Sequence, residues 1–264
     1  MLIAQLSDLH VRPKGQLYRG VADSNRMLSE AIEHLKQLDR QPDLILLTGD
    51  LVDNGHPDEY REARELLSQL TAPFLAIPGN HDERENFRAA FADLAYLPLQ
   101  GPLHYCIDSY PVRIVALDST VPGRHHGDIE PEGLQWLRST LEADRTKPTV
   151  VMLHHPPFAS GITYMDKYRY RNPEPLAQVL IDFSNIEVVL CGHVHRPMFR
   201  RWAGTVVAAC PSTATEIALR LEPGAGPQSI VGPRGCTLHL WDHMHGMVSH
   251  MSQIGNFEGP YPFA

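Results

Sequence analysis

The sequence predicts an α/β fold in which strands and helices alternate, and three observations carry that reading. Short, mostly apolar runs recur at residues 2–6, 43–48, 74–77, 149–153 and 186–191, the form of strands buried on both faces. The stretches between them place apolar residues at helical spacing. Glycine and proline punctuate the boundaries, as in Gly49-Asp50 and Pro78-Gly79. With 264 residues, 43 % of them hydrophobic, the chain can bury a sizeable core in one domain.

The elements follow in order. Residues 2–6 form the first strand. Met27, Ala31, Ile32, Leu35 and Leu38 stripe a helix over 23–38. The run 43–48 is a buried strand. Pro57, whose fixed φ suits a first helical residue, opens a helix over 57–70 striped by Tyr60, Ala63, Leu67 and Leu70. A third strand at 74–77 stops at Pro78-Gly79, and 83–94 is helical. Strands at 103–107 and 112–117 join through a turn near Pro111. A helix at 131–142, a strand at 149–153, a short helix at 175–183 and a strand at 186–191 continue the alternation. Beyond Met198 lie short strand candidates at 205–209, 215–221, 236–241 and 247–251. The Gly- and Pro-dense stretch 223–235 reads as an exposed loop.

Composition narrows the partners. A net charge of −8 argues against duplex nucleic acid, which needs a basic face. No 18-residue apolar run is present, so a membrane partner is not expected. The opening residues carry no basic stretch and no small-residue cleavage site, so no secretory leader is expected and the location reads as cytoplasmic. Cys106, Cys191, Cys210 and Cys236 form no CxxC pair and read as reduced, mostly buried thiols. Histidine is the unusual count, at fifteen.

Many of those histidines follow strands. The strand ends deliver Asp8-Leu9-His10, then Gly49-Asp50, then Gly79-Asn80-His81-Asp82, then His154-His155, then Gly192-His193-Val194-His195. Ligands gather at the carboxyl ends of strands in layered α/β folds. Carboxylate, imidazole and amide donors without thiolate suit Mn, Fe, Zn or Co and disfavour a structural zinc–thiolate site. Asp8/His10 and His193/His195 have an i, i+2 spacing that, in an extended segment, puts both side chains on one side.

This series resembles the calcineurin-like metallophosphoesterase superfamily, whose pattern is D-x-H, G-D, G-N-H-[DE], H and G-H-x-H in that order. The likeness spans residues 8 to 195. Its closer features are similar to bacterial class III cyclic-nucleotide phosphodiesterases and their glycerophosphodiesterase relatives. The resemblance implies a four-layer α/β/β/α sandwich of two mixed sheets with a dinuclear metal site at the strand ends. It implies a core over about 1–210 and a C-terminal β-hairpin extension over about 211–264 that mediates a homo-oligomer. One ion would take Asp8, His10, Asp50 and His195; the other would take Asp50, Asn80, His154 and His193. Asp50 would bridge, and a metal-bound hydroxide would attack. Asp50 and His81 would be catalytic, and Asn80, His81 and His195 would contact substrate. The implied activity is hydrolysis of a small phosphodiester, such as cyclic AMP or a glycerophosphodiester. Competing readings are a phosphomonoesterase or nucleotide-pyrophosphate hydrolase on the same metals, and a non-catalytic scaffold. The glycerophosphodiesterase relatives carry a further histidine where this chain has only Pro211-Ser212-Thr213-Ala214-Thr215. Ser212, Thr213 or Thr215 is the substitute contact to examine.

The remaining polar residues get simpler expectations. His155 packs away from the metals. Asp82 orients a ligand histidine or caps the next helix. His125 and His126 sit exposed in a polar loop, and His243 and His245 lie on a surface hairpin. Arg12 and Tyr18 are rim candidates. Residues 160–172, rich in Tyr, Lys and Arg, fold over the site or stand exposed.

Overall fold

The computed structural model describes residues 1–262. Its first sheet is ordered β13-β12-β1-β2-β3. The parallel strands β1 (Leu2–Leu6), β2 (Leu44–Thr48) and β3 (Phe74–Ile77) form one half. The antiparallel hairpin β12 (Arg234–Asp242) and β13 (Gly246–Ile254) forms the other, with β12 paired directly to β1. The second sheet comprises β4 (Tyr105–Ile107), β5 (Arg113–Ala116), β6 (Thr149–Met152), β7 (Ile186–Cys191), β8 (Met198–Trp202) and β9 (Thr205–Ala209), in the order β4-β5-β6-β7-β9-β8. Strands β5, β6, β7 and β9 run parallel between antiparallel edges, so both sheets are mixed.

Strand alternation fixes the layers. Val150, Met152, Val188 and Leu190 join the cluster that contains β1, β2 and β3, so they face the first sheet. Val151 and Val189 point the other way, into a cluster with α4 (Pro131–Glu142) and α5 (Pro173–Leu180). Helices α1 (Ser24–Lys36), α2 (Pro57–Leu67) and α3 (Arg84–Ala90) cover the outer face of the first sheet. The result is the expected four-layer sandwich. Pro57, Pro131 and Pro173 each begin a helix, where a missing N–H costs nothing. No helix among the described residues is long and apolar enough to cross a membrane.

Differences from the sequence reading have local causes. Helix α5 starts at Pro173, two residues early, because that proline and not Pro175 takes the first helical position. Helix α3 ends at Ala90, since Phe91 leaves helical geometry at φ −113°. Strand β8 was not anticipated: its sequence, MFRRW, lies largely exposed on a sheet edge, where charged side chains carry no burial pattern. Inside the expected loop 223–235, β11 (Ser229–Ile230) pairs with β10 (Glu216–Ile217).

Candidate metal centre

Strands β1, β2 and β3 are neighbours in one sheet, and β6 and β7 are neighbours in the other. Packing the sheets face to face therefore brings five carboxyl ends to one edge. Gln5 ties the layers there, donating from Nε2 to Thr48 Oγ1 at 2.9 Å and to the Cys191 carbonyl at 3.0 Å. Asp8, His10, Asp50, His154, His193 and His195 are all buried at this edge, with Asn80 and His81 half-buried beside them.

The donors converge by a different route from the one expected. Asp8 and His10 are not extended, nor are His193 and His195. All four adopt left-handed backbone, at φ 53°, 45°, 70° and 55°, and Asp50 does so at 51°. Left-handed geometry costs a non-glycine residue about 1–2 kcal/mol. Five of the seven non-glycine residues with positive φ among those described are thus candidate donors. Strain concentrated in this way marks a site whose geometry is held for function. Two glycines permit the close approach. A Cβ on Gly79 would stand 2.2 Å from Asp50 Oδ1 and 2.8 Å from His154 Cε1, and one on Gly192 would stand 2.0 Å from Ser7 Oγ. Gly79→Ala is expected to weaken Mn²⁺ binding by at least about tenfold in a calorimetric titration. Unchanged affinity would show that the loops need not approach so closely.

The imidazoles are oriented from behind. His154 Nδ1 donates to the Thr48 carbonyl at 2.8 Å, and His195 Nδ1 to the Thr215 carbonyl at 2.7 Å. Each ring then presents an Nε2 lone pair to the cluster. His154 Nε2 is buried without a hydrogen-bond partner and lies 3.4 Å from Asp50 Oδ2. His195 Nε2 lies 3.0 Å from His10 Nε2 and 3.3 Å from Asp8 Oδ1. His193 Nδ1 is 2.8 Å from Asn80 Oδ1. Lone pairs and carboxylate oxygens facing one another at such distances repel unless a proton or a cation lies between them. Two such groups lie against Asp50, namely Asp8, His10, Asp50 and His195, and His154, His155 and His193; a third, His10, Asp53 and His81, adjoins them. Asp50 contacts both, so a pair of oxygen- and nitrogen-ligated cations fits the residues present.

Protein charges alone answer the same need with protons. Burial disfavours charge on His154, but the Asp50 carboxylate outweighs it and raises the pKa to about 9. His81 is likewise raised to about 9 against the cost of burial, chiefly by Asp50 and Asp53. Burial opposes ionisation of Asp50, yet His154, His81 and His10 hold its carboxyl well below the usual range. Burial, with repulsion from His154, lowers His193 to about 3. A metal ion competes with protons for these same lone pairs.

His81 belongs only to the third group, with His10 and Asp53. Its backbone N–H donates to Asp50 Oδ1 at 2.9 Å and its Nδ1 to the Asp53 carbonyl at 2.7 Å, leaving Nε2 to the cavity. That cavity holds about 400 Å³ and is lined by Asp50, Asn80, His81, His193 and His195 on one side. Tyr18, Tyr164, Tyr168 and His125 line another.

Several single-residue expectations change. Asp82 neither orients a ligand histidine nor caps α3, which Glu83 caps. Its carboxylate accepts from Gly79 N, Leu51 N and Tyr60 Oη, lashing the loops after β2 and β3 together. Burial and the neighbouring Asp50 raise its pKa to about 7. His125 is exposed but not idle: its Nδ1 lies 3.2 Å from the Asn80 amide nitrogen on the cavity rim. His155 packs against Ser119 Oγ and the His125 carbonyl. Arg12 is committed to Asp53 and Glu59, whereas Tyr18 stacks on His10 with centroids 4.4 Å apart. Ser212 donates to the Asp8 carbonyl, and of Ser212, Thr213 and Thr215 only Thr215 lines the cavity. His243 and His245 lie exposed at the hairpin. Asp53 and Arg19 were missed. Asp53 gave a signal, being a second carboxylate beyond the same strand end; Arg19 gave none beyond its position next to Tyr18.

A family model described as calcineurin-like phosphoesterase matches residues 1–197. A probable glycerophosphodiester phosphodiesterase of Arcobacter nitrofigilis is 36 % identical over 264 residues, covering 100 % of this chain and 97 % of its own. A 3′,5′-cyclic adenosine monophosphate phosphodiesterase of Pseudomonas aeruginosa is 32 % identical over 220 residues, covering 83 % and 78 %. The solved structure of a dimetal phosphatase from Danio rerio superposes with a TM-score of 0.64 at 13 % identity, covering 97 % and 99 %, and shares the fold.

Proposed function

The chain belongs to the calcineurin-like phosphoesterase family, and on that premise we propose that it is a metal-dependent phosphodiesterase for small substrates. The observation that carries this reading is the convergence of donors from five strand ends, those after β1, β2 and β7 in strained backbone, on one cavity of small-molecule size. In this reading Asp8, His10, Asp50 and His195 hold one cation, and Asp50, Asn80, His154 and His193 hold the other. When bound, two such cations supply Lewis acidity and lower the pKa of a water to near neutrality.

The remaining work falls to the protein. Thr48 and Thr215 carbonyls fix the rings of His154 and His195, so no rotation is needed when substrate arrives. Asn80 and His195 line the cavity and orient the phosphate. His81, anchored on the Asp53 carbonyl, faces the departing oxygen and donates a proton or hydrogen bond there. Tyr164 and Tyr168, packed edge to face on the cavity wall, offer aromatic surface that favours a nucleotide, while the 36 % identical relative favours a glycerophosphodiester. Four free cysteines support a reducing, cytoplasmic location. The nine-residue edge strand β13, exposing Val248 and Met251, supports a homo-oligomer.

Metal-stripped protein reloaded with Mn, Fe, Co or Zn is expected to hydrolyse bis-p-nitrophenyl phosphate, and a chelator to abolish that turnover. Absence of turnover with every one of these metals would sink the reading. Preference for p-nitrophenyl phosphate over the diester would move it to a monoesterase.

A further inference from the structure

Beside the cavity lies a second cleft of about 580 Å³, walled by Arg124, His126, Lys167 and Arg171. His125 and Tyr168 line both spaces, so the two share a wall. Arg124, Lys167 and Arg171 bring three exposed cations together on one cleft of an acidic chain. Elsewhere Arg12, Arg64, Arg84, Arg138 and Arg234 each hold a carboxylate. Among the described residues no ion pair involves Arg124, Lys167 or Arg171. Asp128, two residues from His126, already accepts from the Asn172 amide at 2.5 Å and from Ile129 N at 2.9 Å.

The cleft is also built, not draped. Arg171 N donates to the Gly127 carbonyl at 2.8 Å, joining the loop that carries Lys167 and Arg171 to the loop that carries Arg124 and His126. Gly127 packs so tightly on His155 that a Cβ there would meet its ring at 2.4 Å. Tyr170, between Arg171 and Tyr168, is fully buried. The anchored backbone keeps these cations close together, and arginine suits phosphate in particular.

We infer that this cleft receives a second phosphate, carried by the substrate beyond the phosphodiester cleaved in the adjoining cavity. The inference rests on the proposed reading of that cavity as the reaction site. A 3′,5′-cyclic nucleotide has one phosphate and leaves the cleft unfilled. An acyclic diester bearing a further phosphomonoester fills both spaces. The substrate class is therefore a phosphorylated diester, whether the added phosphate sits on a nucleoside or on a polyol.

Two substrate pairs test this: the dinucleotides pApA and ApA, and glycerophosphoglycerol with and without a terminal phosphate. In at least one pair the phosphorylated member is expected to show about tenfold higher kcat/KM, the scale of charge-assisted hydrogen bonds. The pair that shows it identifies the source of the phosphate. Arg124→Gln/Arg171→Gln is expected to remove the preference and leave bis-p-nitrophenyl phosphate turnover unchanged. No preference in either pair, or a preference that survives the double substitution, would overturn the inference. Calorimetric binding of the same four compounds to metal-stripped protein gives a second readout. It separates failure of the cleft from failure of the phosphodiesterase reading, which the metal-loaded assay reports.

Discussion

Asp50→Asn is expected to lower kcat for bis-p-nitrophenyl phosphate by about 10³-fold or more, the equivalent of several kcal/mol of lost charge stabilisation. Asparagine has the shape of aspartate, and its Oδ1 can still accept from His81 N, the bond that measures 2.9 Å in the parent. The fold should therefore persist. What disappears is the one carboxylate that lies 3.7 Å from His10 Nε2 and 3.4 Å from His154 Nε2, between the two donor groups. Bound metal should fall below two equivalents, and the rise in Tm on adding Mn²⁺ should shrink, because stabilisation by a ligand follows its affinity. Full activity in this variant would remove Asp50 from its bridging role.

His81→Ala should separate chemistry from metal binding. The ring is anchored through Nδ1 to the Asp53 carbonyl and edges against His10, with centroids 4.8 Å apart, and its one potential cation group, with His10 and Asp53, lies outside the two that touch Asp50. Its loss is expected to cut kcat by about 10²-fold or more while both metals stay bound. The deficit should be larger for a diester with an alkoxide leaving group than for one releasing p-nitrophenolate, which departs without help. Equal deficits for both leaving groups would argue for charge stabilisation over proton donation. An unchanged kcat would exclude His81 from the reaction.

The strands most legible in the sequence are those buried on both faces. Leu2–Leu6, Phe74–Ile77 and Ile186–Cys191 have the predicted bounds because an apolar run flanked by polar residues leaves little room for error. Helix α4 was equally clear, with Pro131 fixing its start. Strand β8 was invisible for the opposite reason: Phe199, Arg200 and Arg201 are exposed, so no periodic burial shaped their sequence. At the site, the strand-end positions and the family resemblance singled out candidate donors that the structure brings together, but not how they meet. The i, i+2 argument assumed extended backbone, whereas Asp8, His10, His193 and His195 all turn left-handed. Local sequence could not show this, since the strain is imposed by contacts such as Asp8 N to the Gly49 carbonyl and Gly192 N to the His154 carbonyl. His125 was hidden likewise. Its place opposite Asn80 depends on two loops far apart in sequence. The cation cluster of Arg124, Lys167 and Arg171 draws on the same kind of long-range meeting.

The most direct test of the two-cation centre is a joint titration of metal content and activity. Metal-stripped protein is titrated with Mn²⁺ or Co²⁺, and bound metal is measured by mass spectrometry beside turnover of bis-p-nitrophenyl phosphate. Two equivalents per chain, with turnover reaching its plateau only as the second binds, is the predicted result. A plateau at one equivalent, or full turnover in the stripped protein, would contradict it.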